Sequence, residues 1–420
     1  MTSATDSPAL RTTRPLRLAY LVSHPIQYQA PLLRRIAQEP GIDLTVLFGS
    51  DFSVRGYTDA GFGVDVKWDI PLLDGYKHEF LPCLRDTGNT TVSSPINRGI
   101  LSRLRGRNAA PPFDVLWVHG YATVNAIHGI LAANALGIPV LLRAESWLGD
   151  RDRTSARIAL KHAAFQILKR MTSAVLPIGA LNAQYWRHYF GDDVPQFPMP
   201  YAVDNAWFAQ RAREAHATRP ALQAELNLDP ARPVILFASK LQTRKHCDHL
   251  IAACAKLTPA SASEPHPYLV IVGDGQERAA LEHQAAATRL DSIRFCGFRN
   301  QSELPRFFDL ATVFVLPAQH EPWGLIVNEV MNAARPAIVS TDVGCAPDLI
   351  EDGVNGFTYP AGDIDALALA LRRTLAPTST SASAEAMGQR AFARIQTWSF
   401  EQDIAGLRRA LAHVAPGFIA

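Results

Sequence analysis

The feature that most constrains this chain is a rhythm of short β-branched apolar runs alternating with longer amphipathic ones, which runs once, stops and restarts. Residues 16–23 (LRLAYLVS) read as a buried parallel strand, 31–38 as a helix and 44–48 as the next strand. Further strands are expected at 115–119, 139–143 and 174–178, with helices around 123–136 and 154–169. Apolar strands separated by amphipathic helices mark a doubly wound α/β sheet. A proline- and aromatic-rich passage, 192–208, breaks the pattern and reads as a linker. The rhythm then resumes with strands at 234–238, 269–272, 293–296, 313–316 and 337–340, and helices near 247–257, 277–289 and 325–334. Two Rossmann-like domains in series follow, with ligands expected in the crevice at the carboxyl ends of both sheets.

The expected division is a disordered polar leader at 1–15, an N-terminal Rossmann-like domain at 16–200 and a C-terminal Rossmann-like domain at 201–385. After a Ser/Thr/Ala/Pro-rich connector at 376–384, residues 386–420 are expected to form a helix that packs back toward the N-terminal domain. At 420 residues the chain is longer than a single core sustains. With 48% hydrophobic and 19% charged residues it has material for two. The first fifteen residues hold no apolar export segment, and no later run reaches the roughly 18 apolar residues of a membrane span. The five cysteines (Cys83, Cys247, Cys254, Cys296, Cys345) are scattered without a C-x-x-C pair. That excludes a disulfide framework or zinc site as the expectation and suits a reducing cytoplasm.

Residues 1–190 hold 21 Lys/Arg against 14 Asp/Glu and the remainder 20 against 25, so the two halves carry +7 and −5. The basic excess lies at Arg98, Arg103, Arg105 and Arg107 and between Arg151 and Arg170. It suits anionic lipid headgroups at the inner face of the cytoplasmic membrane or an anionic acceptor, and equally a solvated helix face. No nucleic acid is expected as a partner.

The chemistry concentrates in 320–360 (HEPWGLIVNEVMNAARPAIVSTDVGCAPDLIEDGVNGFTYP). Glu321 precedes a helix start, Gly324 and Leu325 form the turn, and Glu329 lies one turn inside. Backbone N–H groups at a helix start suit a diphosphate, and a glycine lets it approach. Glu329 is placed to accept hydrogen bonds from a ribose diol and Glu321 to meet the transferred sugar.

This passage resembles glycosyltransferase family 4, whose hallmark is E-x7-E (here Glu321 and Glu329) followed by a small-residue loop (341–347) and an N-G-F/L-x-x-P segment (355–360). The resemblance implies the GT-B architecture, two Rossmann-like domains facing across a cleft, and metal-independent transfer with retention. By the same resemblance, in the segment ASKLQTRKHCDHLI, Lys240 and Lys245 neutralise the donor diphosphate. The family has Gly-Arg where this chain has Ser239-Lys240; lysine keeps the charge and loses the bidentate fork. Gly273 and Gly275 (VGDGQ) match the family's glycine turn. Gly297, Phe298 and Arg299 fall where backbone groups read the base, which leaves UDP- and GDP-sugars both open.

The N-terminal domain departs from the family: its first strand leads not into a glycine-rich loop but into His24-Pro25-Ile26-Gln27-Tyr28, a string similar to that of bacterial surface-polysaccharide glycosyltransferases. His24, Gln27 and Tyr28 are candidates for substrate contact. His119, at the end of VLWVH, matches a family histidine that reaches the donor sugar, a satisfied buried histidine being the competing reading. Arg143 and Glu145 are acceptor candidates or an ion pair holding their loop. Asp150-Arg151-Asp152 is read as helix capping rather than a metal site, so neither a metal nor another cofactor is expected. The implied reaction moves a hexose-type sugar to a glycan or lipid-linked acceptor. Its rivals are a non-hydrolysing sugar-nucleotide 2-epimerase and a non-catalytic nucleotide-sugar-binding subunit.

Overall fold

A computed structural model describes residues 14–59, 61–106, 112–257, 266–376 and 383–418. Arg107, most of the expected leader and most of the connector lie outside these residues. Two six-stranded parallel sheets form the frame. The first comprises β1 (Leu16–Val22), β2 (Ile42–Phe48), β3 (Lys77–Phe80), β4 (Val115–His119), β5 (Val140–Arg143) and β6 (Ala174–Val175), in the order β6-β5-β4-β1-β2-β3. The second comprises β7 (Val234–Ala238), β8 (Tyr268–Val272), β9 (Ile293–Phe295), β10 (Val313–Leu316), β11 (Ala337–Ser340) and β12 (Gly356–Tyr359), in the order β9-β8-β7-β10-β11-β12. The α/β class and the two Rossmann-like domains expected from the sequence are those observed. Strands such as LRLAYLV and VILFA are buried along nearly their whole length because helices cover both sheet faces. In each sheet the winding reverses beside the first strand, between β1 and β4 and between β7 and β10, and this is where the carboxyl ends leave a crevice.

Three departures from the sequence reading affect the site. The expected linker 192–208 leads straight into a 21-residue helix, Asn205–Glu225, whose internal Pro220 and charged surface obscure its helical pattern. Asp204 caps it by accepting the N–H of Trp207. Two small antiparallel hairpins, Tyr57–Asp59 with Val64–Val66 and Cys83–Arg85 with Ile96–Asn97, rise from the first domain. The C-terminal stretch is two helices, Ala384–Gln396 and Phe400–Val414, broken where Ser399 and Gln402 form a capping box.

The first of these two helices buries Ala391 and Ile395 in the second domain's core. The second buries Phe400, Ile404, Leu407 and Leu411 against Leu16, Leu18 and Ile36 of the first. At about 1.5–3 kcal/mol per buried large apolar side chain, this last contact ties the tail firmly to the N-terminal domain. No helix among the described residues is long and apolar enough to cross a membrane.

Candidate active site

The carboxyl end of β7 runs into Ser239 and Lys240, and a 3-10 turn, Thr243–Lys245, follows. That turn lays Lys245 along the cleft wall, where its buried Nζ donates to Glu321 Oε2 at 2.5 Å. Arg244 donates to the same oxygen at 2.7 Å. Burial alone would raise the Glu321 pKa, but these two cations outweigh it and hold the carboxyl below its ordinary value. Burial also lowers Lys245, an effect its contact with Glu321 resists. The result is a compact carboxylate-dication group at the mouth of the crevice.

Glu329 has no such support. It sits on the short helix Ile326–Met331, half-buried in the same crevice, and burial pushes its carboxyl up to about 8. Gly324, just before this helix, has φ +88°, and a Cβ there would stand 2.8 Å from Val343 Cγ1. Glycine is therefore required both by conformation and by space. Gly273, at the end of β8, approaches closer still: a Cβ would lie 1.9 Å from the Ser239 carbonyl oxygen.

These groups line a cavity of about 230 Å3. Of the sequence candidates, Lys240, Lys245, Gly273, Phe298, Arg299, Glu321, Gly324, Leu325 and Glu329 face it from the second domain, and Gln27 and Tyr28 from the first. Gly275 lies behind this wall, packed against the Leu241 backbone. Lys240 is engaged across the cleft: Asp59, on the Tyr57–Asp59 hairpin, accepts from its Nζ at 2.7 and 2.9 Å.

Next to this cavity, His119 and Glu145 open on a second one of about 620 Å3 that also touches Pro322. Tyr28 bridges the two, lining the first and donating to Glu145 Oε1 at 2.8 Å. Tyr201 donates to the same oxygen, and His119 Nε2 lies 3.5 Å from it. Against the opposing effect of burial, His119 and the two tyrosines hold the Glu145 carboxyl well below the usual range. The His119 ring is steadied from the other side by Gln29, 3.3 Å away.

Two candidates are placed otherwise than the acceptor reading expected. Arg143 is 2% exposed; it donates to the carbonyl oxygens of Met199 and Pro200 and, at 3.1 Å, to Asp403 of the last helix. It clamps the tail to the end of β5, an ion pair as the alternative reading had it, and lines neither cavity. His24 lies tilted against Phe52, ring centroids 4.4 Å apart, and contacts Ser23 and Thr90 at the edge of the larger cavity without lining either one itself, and burial pulls it down to about 4. Asp150 does not cap the following helix, whose N-cap is Thr154. Its carboxylate is taken by Arg153.

Sequence reasoning passed over Arg244, although its adjacency to Lys245 was a usable signal. It also passed over Asp59, Phe62 and Trp68, which enter from the hairpin region, and over Trp147, whose Nε1 donates across the cleft to the Glu321 carbonyl at 3.2 Å. Nothing local marks those four.

Two Rossmann-like domains closing on a cationic, glycine-walled crevice define the GT-B class. Residues 218–394 match the family described as glycosyl transferases group 1. The chain is 32% identical over 163 residues to an alpha-D-kanosaminyltransferase of Streptomyces kanamyceticus, covering 39% of this chain and 41% of that protein. It is 30% identical over 158 residues to the lipopolysaccharide core biosynthesis glycosyltransferase LpsE of Rhizobium meliloti, covering 37% and 44%. The alignment thus spans less than half the length of these curated relatives. Among solved structures, a glycosyltransferase from Rickettsia africae superposes with a TM-score of 0.72 at 13% identity, over 96% of this chain and 99% of that one. Anabaena Alr3699/HepE in complex with UDP-glucose gives 0.64 at 16%, over 94% and 99%. At these identities the likeness is one of fold.

Proposed function

We propose that this protein is a retaining glycosyltransferase of family 4 that moves a hexose-type sugar from a UDP- or GDP-sugar to a glycan or lipid-linked acceptor. Its place is the assembly of exopolysaccharide, capsule or lipopolysaccharide at the inner face of the cytoplasmic membrane. The observation that carries this reading is the Glu321 carboxylate held by Lys245 and Arg244 in a crevice that also holds Lys240, Glu329 and the Gly324 turn. The named activities of the relatives, and the UDP-glucose bound by the Anabaena protein, support the donor class.

As the sugar–phosphate bond lengthens, negative charge gathers on the leaving diphosphate. Lys240, Lys245 and the amides before Ile326 are arranged to stabilise it. With these two cations and the helix start, no metal enters the proposed step. The diphosphate leaves and the acceptor oxygen arrives on the same face of the anomeric carbon, the departing diphosphate oxygen taking the acceptor proton, while Glu321 orients the sugar and His119 approaches it from the other domain. Acceptor then enters through the His119–Glu145 cavity. Domain closure excludes water, which suppresses hydrolysis.

Glu321→Ala and Lys245→Ala are each expected to lower transfer by roughly 10²–10³ in kcat while the protein stays folded. Donor consumption with added glycan acceptors is the assay, after a thermal-shift screen of UDP- and GDP-sugars. Near-normal turnover in both variants defeats the assignment, and sugar-nucleotide isomerisation without acceptor would point to an epimerase instead.

A further inference from the structure

The helix Ser155–Arg170 is unusual for a domain of this kind: of its sixteen residues only Phe165 is buried. Ala156, Leu160, Ala163 and Ile167 recur at helical spacing on the side opposite Phe165, with Leu160 72% and Ile167 61% exposed. Leu148, in the preceding loop, is exposed as well. Arg157 and Arg170 are exposed along this stripe and Arg151 is exposed in the loop before it, and Arg157 and Lys161 also line the His119–Glu145 cavity. An outward apolar row flanked by cations is the arrangement that settles a helix into a headgroup layer.

We infer that this helix is the surface by which the protein docks on an anionic lipid bilayer, with Leu160 and Ile167 entering the acyl boundary and the flanking arginines meeting the headgroups. Because Arg157 and Lys161 line the His119 cavity, the same docking would bring that cavity close to the membrane, where a lipid-linked acceptor would enter. That last consequence rests on the glycosyltransferase reading; the docking does not. The test is sedimentation of the full chain with vesicles of phosphatidylcholine, alone or mixed two to one with phosphatidylglycerol. Binding only to the anionic vesicles is expected, weakened by salt. Leu160→Ser with Ile167→Ser should weaken it about tenfold or more, with unchanged melting temperature. Absence of vesicle binding by the wild type, equal binding to neutral vesicles, or wild-type binding by the double variant would each overturn the inference.

A second observation stands apart from the first. Asp59 grips Lys240 with both oxygens. The turn behind it is fixed, its Oδ1 accepting the N–H groups of Gly61 at 2.8 Å and Phe62 at 3.0 Å. Phe62 meets Phe298 edge to face at 4.8 Å, Asn300 donates to the Lys67 carbonyl at 2.7 Å, and Ser302 donates to Asp69. The hairpin is thus fastened to the C-terminal domain at several points around the crevice. The 230 Å3 it leaves falls below the roughly 300–1,000 Å3 of ordinary ligand pockets.

We propose that Asp59 is an autoinhibitory latch: its carboxylate holds Lys240 and keeps the hairpin down until a nucleoside diphosphate exchanges for it. This rests on Lys240 being a diphosphate contact. Calorimetric titration with UDP and GDP should show Asp59→Asn binding the preferred diphosphate about five- to tenfold more tightly than the wild type. Asparagine keeps the oxygen that caps the turn, and hydrogen exchange on the wild type guards against a misfolded variant. Adding the diphosphate should speed exchange at the hairpin amides. Equal diphosphate affinity, or exchange that is unchanged or slowed, overturns the latch alone; no diphosphate binding by either protein overturns the donor-site reading with it.

Discussion

Glu329 makes the donor site sensitive to pH in a calculable way. With its carboxyl pushed up to about 8, about nine in ten molecules carry it protonated at pH 7. A ribose diol offers two donors and is best met by a carboxylate, so nucleotide binding selects the ionised minority and expels a proton. That fraction rises from about one tenth at pH 7 to about nine tenths at pH 9, so affinity for UDP or GDP should rise about tenfold, or about 1.4 kcal/mol, and then level off. The stability of the unliganded fold runs the other way. A carboxyl whose folded pKa lies above its unfolded value favours folding at low pH, and that contribution is lost as pH rises from the unfolded value through about 8. The thermal shift caused by nucleotide should therefore widen between pH 7 and 9. Calorimetry in two buffers of different ionisation enthalpy would count the proton, about one released at pH 7. Lys245, also lowered by burial, pulls affinity down at alkaline pH, so Glu329→Gln is the control that isolates the effect: its profile should lack the rise. A flat wild-type profile, or the same rise in Glu329→Gln, would refute the reasoning.

Arg143→Met should destabilise the protein by about 3–5 kcal/mol, since it strands Asp403 in a site where burial already raises that carboxyl to about 7 despite the arginine. Scanning calorimetry should show a fall of roughly 10 °C in the first domain's transition, and adding Asp403→Leu should recover much of it.

The frame of this fold was readable because it depends on periodicity. Runs such as VILFA and YLVIV, buried on both faces, announce themselves without reference to anything distant in the chain. The second domain's half of the site was readable for a related reason: Lys240, Lys245, Gly273, Glu321 and Gly324 lie in the loops that follow strand ends, and Glu329 in the helix one of those loops leads into, where such a sheet must present its ligand groups. What escaped was whatever depends on contact across the cleft. Asp59 looks like any polar turn residue until the hairpin is laid against Lys240. Arg143 looks like a strand-end substrate contact until the last helix, 260 positions later, brings Asp403 beneath it. The helix Asn205–Glu225 was hidden by its own Pro220, whose local cost is offset by the packing of Phe208 and Leu222 of the same helix in a core with Phe307 and Phe308 and by Arg219 bound to Asp309.

The return of the final helix to the first domain means that the polypeptide passes between the lobes twice, once before Asn205 and once at Thr397–Ser399. Two tethers at one edge forbid the free twisting that a single strand would allow and leave mainly a swing about the line joining them. Any opening of the cleft would therefore retrace one arc, and would bring Trp147 back to the Glu321 carbonyl and Tyr28 back to the same wall of the crevice without guidance from a ligand.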